Sequence, residues 1–248
     1  MSGLSPGVAM RLRVRFTKVG KIRFLGHRDV ARAWERAIRR VQLPVAHTEG
    51  FSPRPKVHFG LALPTGYESV AEYIDIDLRE EVSLASTPAA LTGALPVGID
   101  VTGVAVVNGG GSLQSTVEAS TWTVLVDAVG DEVLAAAVDA LLAADEVPVT
   151  IVRKGAEIVE NLRPMVEELR IVGAGEGVVE LQTTLACQPR SVRPTEVLTA
   201  MGAWTGEIAG QLIERRVRRD EKWMNVDGVR RPPVPAAAPS LAGAAAPA

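Results

Sequence analysis

The chain has 248 residues, 47% hydrophobic and 23% charged, with one cysteine, Cys187. That length suits one large or two smaller folded units, and a lone cysteine excludes an intramolecular disulfide framework, a structural zinc and an iron–sulfur cluster, so no metal or cofactor is expected and the reading is a reducing compartment. The net charge of −2 hides a lopsided layout: residues 1–60 hold 13 Lys/Arg against Asp29, Glu35 and Glu49, whereas residues 61–210 hold seven against 22 acids. Such asymmetry points to a polyanionic partner for the basic part.

No apolar run reaches the ~18–20 residues of a bilayer span, and residues 1–10 lack the charged and apolar regions of a secretion signal. A cytoplasmic protein without a membrane partner is therefore expected.

In chain order, residues 11–16 alternate basic and apolar side chains, the period of a half-buried strand, and 22–25 read as a short extension of it. From Arg28 to Val41 the apolar positions Val30, Trp34, Ala37, Ile38 and Val41 share one helical face. Strands are predicted over 57–63 and 73–78, a helix from Thr87-Pro88 to Leu95, and a strand over 99–107. After the break Asn108-Gly-Gly-Gly-Ser112 the order repeats. Strand 121–126 and helix 131–142 come first, then strands 147–153 and 178–186 with a short one at 169–172, and finally helix 194–201 and strand 211–217. Two βαββαβ runs predict an α+β protein of two tandem ferredoxin-like sheets with helices on one face, over 9–110 and 117–226. Residues 227–248, rich in Pro and Ala, are expected to form a disordered tail.

The richest chemistry lies between residues 24 and 59. Arg28, Arg32, Arg36 and Arg39/Arg40 recur at helical spacing opposite the Trp34 stripe, and a following loop carries His47, Arg54 and Lys56. Prolines on both sides of Arg54 hold that loop extended. A guanidinium ridge beside a stiff basic loop, with Phe51 and Tyr67 as stacking candidates, suits phosphate contacts. The bland alternative is a solvated helix face, but acids normally alternate with bases on such faces and only Asp29 and Glu35 do so here. His27 and His47, if they converged, would suit metal-free RNA cleavage, although a histidine near a helix start is more often structural. The predicted RNA- or anion-binding set is His27, Arg28, Arg32, Arg36, Arg39, Arg40, His47, Arg54 and Lys56, with no catalytic residue assigned. Arg163, before Pro164, reads as part of a crossover or an anion clamp, and the cluster Arg215, Arg216, Arg218 and Arg219 as more basic surface or a charged edge.

The runs Lys21-Ile-Arg-Phe-Leu-Gly-His-Arg-Asp-Val30, Gly50-Phe-Ser-Pro-Arg-Pro-Lys-Val-His-Phe-Gly-Leu-Ala-Leu-Pro-Thr-Gly-Tyr-Glu-Ser69 and Asn161-Leu-Arg-Pro164 resemble the bacterial radical-SAM-associated domain family over about residues 10–225. The resemblance implies a stand-alone form acting beside a radical SAM enzyme on a separate chain, which would hold the three-cysteine cluster that this sequence lacks. It also hints at RNA. The expected function is thus a non-catalytic accessory protein that binds RNA or another phosphate-rich substrate, the alternatives being a metal-independent endoribonuclease and a protein-interaction scaffold.

Overall fold

The computed structural model describes residues 7–107, 111–127, 131–175, 177–205 and 212–235. The first half runs β1 (Met10–Lys18), α1 (His27–Arg40), β2 (Val57–Phe59), β3 (Glu68–Leu78), α2 (Thr87–Ala94) and β4 (Val101–Val106). One helical turn, α3 (Leu113–Thr116), leads into β5 (Val117–Asp127), α4 (Asp131–Ala143), β6 (Pro148–Arg153), β7 (Ala156–Asn161), β8 (Val166–Gly175), β9 (Val178–Ala186), α5 (Pro194–Thr205), β10 (Glu214–Val226) and β11 (Val229–Arg231).

The result is a mixed fold dominated by one nine-stranded sheet, ordered β4-β1-β3-β10-β5-β9-β8, with β2 beside β3 and β11 beside β10. Where two sheets were expected from the sequence, a single sheet runs through both halves. The seam is the parallel pairing of β10 with β3 at Arg218↔Glu68 and Arg219↔Ser69, and the other strand pairings described are antiparallel. Strands β6 and β7 form a separate hairpin.

Alternation in β1 decides the layering of the first half. Leu12, Val14 and Phe16 point into a core with Val30, Trp34 and Ile38 of α1 and Ile74, Ile76 and Leu78 of β3. Phe16 meets Trp34 edge to face at 5.0 Å between centroids, the arrangement favoured by the ring quadrupoles. The arginines between them face the other side, where the β1/β3 register sets Arg11 opposite Asp77 and Arg13 opposite Asp75. A second core gathers Trp122, Val124, Leu134, Leu141, Leu181, Val197 and Met201. Gly98 closes the first half tightly: its φ is +95°, and a Cβ there would stand 2.4 Å from the carbonyl oxygen of Val19, so only glycine fits.

Several sequence expectations shift. Residues 20–24 form a 3-10 turn instead of an extension. The strand predicted to Leu63 stops at Phe59. The predicted crossover around Arg163 is the arm of the β6–β7 hairpin followed by β8. Helix α5 continues through Gly202 to Thr205, and β10 continues nine residues past Val217. Within the expected tail, residues 229–231 form β11 paired with β10, and Val234 is buried with Tyr73 and Leu113. Residues 236–248 of that predicted tail lie outside the described residues.

Candidate nucleic-acid interface

Helix α1 sorts its side chains by period. Val30, Ala33, Trp34, Ala37 and Ile38 are buried, which turns Arg28, Arg32, Arg36, Arg39 and Arg40 outward, all exposed. Arg32 approaches Asp29 at 3.4 Å, an exposed pair of little strength. Arg28, Arg36, Arg39 and Arg40 have no ion pair among the described residues. Neighbouring like charges left uncompensated on one surface favour a polyanion.

The basic loop is a narrow arm. His47 bridges to Pro55, Thr48 donates its N–H to Arg54 O at 2.8 Å, and Lys56 N–H reaches Ala46 O at 2.8 Å. Arg54 is exposed, Lys56 is partly covered, and neither has an ion pair among the described residues. Phe51 at the tip is fully exposed, whereas Tyr67, the other stacking candidate, is buried in the second core with its hydroxyl on Glu214 at 3.0 Å.

The two histidines do not converge. His27 packs edge to face on Phe59 at 5.1 Å, while His47 holds its own Val45 carbonyl through Nδ1 at 3.0 Å. Since His47 pairs with Pro55, four residues from Phe59, ~13 Å of extended chain separates their surroundings. His58 lies 3.5 Å from Asp77.

The remaining basic residues before position 60 do not join the helix face as a group. Arg11 and Arg13 are held by Asp77 and Asp75 at 2.6 and 2.7 Å, and Arg15 by Glu221 at 2.7 Å. Lys18 donates to the carbonyls of Arg23 and Leu25 at 3.2 and 2.8 Å. Arg23 pairs with Glu68. The cluster near the end of the chain is likewise occupied: Arg215 by Asp127, Arg216 by Glu68, Arg218 by Asp220 and Arg219 by Glu72. Arg163 is structural, tying Leu142 O at the end of α4 to Val166 O at 3.1 and 2.9 Å.

Sequence reasoning missed a buried charge cluster at the seam. Glu72 accepts from Arg219 Nη1 at 2.9 Å and from Lys222 Nζ at 3.1 Å, and all three residues are buried. Burial works against the charge on Glu72, but Lys222 and Arg219 hold its carboxyl below the usual range. Burial pushes the Lys222 ammonium down to about 8 despite the opposing pull of Glu72. Unfolded lysine titrates near 10.4, so below pH 8 the folded state bears the full cost of a buried ammonium. Between pH 8 and about 10 only the unfolded chain keeps the proton, and stability rises with pH, by at most about 3 kcal/mol. Urea unfolding at pH 7.5 and 9.5 in phosphate-free buffer should show this rise in the wild type and its loss in Lys222→Met. An identical pH slope in the two proteins would contradict the assignment.

No helix among the described residues is long and apolar enough to cross a membrane, and no group of three or more potential metal-ligating side chains occurs among them. No curated protein matches the chain. Among solved structures, it is similar to a chain of a Cbf5-Nop10-Gar1 complex, at 10% identity with a TM-score of 0.49, covering 89% of this chain and 55% of that one. It is also similar to a chain of an archaeal box H/ACA sRNP Nop10-Cbf5 complex, at 12% identity with a TM-score of 0.42, covering 84% and 46%. This chain therefore spans about half the length of either. A family model described as an uncharacterized protein conserved in bacteria (DUF2344) matches residues 11–194, and the chain belongs to that family.

Proposed function

We propose that this chain is a non-catalytic accessory protein that presents RNA, or another phosphate-rich substrate, to a radical SAM enzyme carried on a separate chain in the cytoplasm. The observation that carries the RNA half is the outer face of α1, where Arg28, Arg36, Arg39 and Arg40 have no carboxylate partner among the described residues. The exposed Arg54 and Phe51 of the arm over residues 47–55 supply a further phosphate contact and a ring for a base. The partner half follows from the resemblance of residues 21–69 to the radical-SAM-associated family, together with a sequence whose one cysteine leaves any cluster to another chain. Within this reading residues 9–110 and 117–226 are two ferredoxin-like units, supported by the strand orders β4-β1-β3-β2 and β10-β5-β9-β8.

Single-stranded RNA binding should weaken with salt by ~0.7 log units per phosphate neutralised. Charge reversal in Arg32→Glu with Arg36→Glu should abolish it while the far-UV spectrum and Tm stay unchanged, because both side chains face water. Equal affinity of wild type and double variant, measured by fluorescence anisotropy, would defeat the RNA reading. Capture of a partner that survives nuclease treatment would instead make α1 a protein-docking face.

A further inference from the structure

An aromatic ring stands in solvent just ahead of α1. Residues 20–24 form the 3-10 turn between β1 and the helix, and Ile22 and Leu25 fasten that turn by packing against the first core. Phe24 between them is 61% exposed. The backbone is pinned on both sides of it. The Arg23 carbonyl accepts from Lys18 Nζ at 3.2 Å and from the Gly66 N–H at 2.9 Å, and the Leu25 carbonyl accepts from Lys18 Nζ at 2.8 Å. The Arg23 guanidinium carbon lies 4.7 Å from the Phe24 ring centroid, a cation–π contact. Arg23 is itself held by the buried Glu68 at 3.3 Å, whose carboxylate is fixed further by the Gly20 N–H at 2.8 Å and by Arg216 Nε at 2.6 Å. A ring this exposed, with one face on a guanidinium, leaves its other face open to solvent.

A single exposed phenylalanine is ordinary, and position is what distinguishes this one. Among the described residues only two aromatic rings belong to the strongly exposed apolar side chains, Phe24 and Phe51, and both fall in the basic stretch before position 60. Phe16, Trp34, Tyr67, Tyr73 and Trp122 are buried. Phe24 stands four residues before Arg28, at most ~14 Å along the chain, so ring and helix arginines can serve one strand. The charge around the ring is positive. Lys21 is exposed and has no ion pair among the described residues, and the one carboxylate of Glu68 is shared by Arg23 and Arg216. A rigid ring backed by a cation, beside uncompensated arginines, matches nucleic acid: phosphates are held by charge and a base by stacking. Stacking of this kind needs an unpaired base, because a duplex keeps its bases stacked inside the helix.

We propose that Phe24, backed by Arg23, is the stacking platform for an unpaired base of a strand whose phosphates lie on α1, which makes the substrate single-stranded at that point. The assignment rests on the RNA reading and adds its substrate class. Phe24→Leu keeps apolar bulk and removes the π face, and the exposed position should leave the Tm unchanged. It should weaken binding of a single-stranded RNA oligonucleotide on the order of tenfold by fluorescence anisotropy. The salt slope should stay as in the wild type, because no phosphate contact is lost. Phe24→Trp, with a larger ring, should bind at least as tightly as the wild type. An abasic strand of the same length, and an RNA duplex, should each bind wild type and Phe24→Leu equally. Wild-type affinity of Phe24→Leu for the single strand, with binding abolished in Arg32→Glu with Arg36→Glu, overturns the platform and leaves the helix surface standing. A loss in Phe24→Leu that is as large for the abasic strand also overturns it, since the ring would then support the turn and not a base. Full affinity in the helix double variant with a loss in Phe24→Leu would place the strand away from α1 and overturn the shared site. A wild type that binds no single strand removes the platform and the RNA reading together.

Discussion

Glu72→Ala is expected to destabilise the protein by about 3–5 kcal/mol, the range for breaking a buried pair by removing one partner. The carboxylate sits between Arg219 at 2.9 Å and Lys222 at 3.1 Å, and Lys222 is fully enclosed. Without Glu72 the two cations would face each other with only the carbonyl of Leu61 between them, which accepts from both at 3.1 and 3.4 Å. Arginine cannot shed its proton. Lysine can, and since Lys222 already titrates near 8, its neutralisation limits the loss. The Glu72→Ala, Lys222→Met double variant should therefore be more stable than Glu72→Ala alone, a coupling of opposite sign to simple addition. For a chain of this size 1 kcal/mol corresponds to roughly 2–4 °C, so the single variant should melt on the order of 10 °C early. A shift of only one or two degrees would mean that the cluster is not holding the seam together. The consequence is structural as well as energetic, because Glu72 lies on β3 and its two cations on β10, the strands whose pairing joins the halves into one sheet.

The sequence made α1 readable and left this cluster hidden, for the same physical reason. Helical amphipathicity is local: Val30, Trp34, Ala37 and Ile38 identify the buried side without reference to any other element, and the outward arginines follow from them. The strand β1 is equally legible as an alternating run, but its arginines could be assigned to a cationic surface only by ignoring β3, since Asp75 and Asp77, which come opposite them in register, lie 62 and 66 residues further along the chain. Glu72 did leave a signal. It shares the inward face of β3 with Ile74, Ile76 and Leu78, and a carboxylate on an otherwise apolar face requires a buried cation. Its partners, 147 and 150 residues away, depend on where β10 inserts. The element order of the first half, β1-α1-β2-β3-α2-β4, is readable from periodicity, yet the merging of the halves rests on the two-residue pairing at Glu68 and Ser69, too short for any periodicity to announce.

Trp34→Ala should cost about 3–5 kcal/mol, the usual toll for a fully buried tryptophan. The side chain is completely enclosed between α1 and β1, where Phe16 meets it edge to face, and alanine would leave a void under the middle of the helix that rigid strands on the other side cannot fill. Its indole Nε1 has no acceptor, so part of its packing gain is already offset by an unmade hydrogen bond. Trp34→Phe, which keeps most of the apolar volume and removes that N–H, should consequently cost much less than Trp34→Ala. Denaturant unfolding of the two variants tests this, and equal losses would show that the ring volume is not what anchors the helix. The comparison bears on RNA as well. In Trp34→Ala, binding should fall in step with the folded fraction as temperature rises, because α1 loses its seat and the arginines their common face. In the surface variant Arg32→Glu with Arg36→Glu, binding should vanish at temperatures where the protein is fully folded. The contrast between the two variants, folding and binding lost together in one and binding lost alone in the other, separates a helix that presents charge from one that is only part of the core.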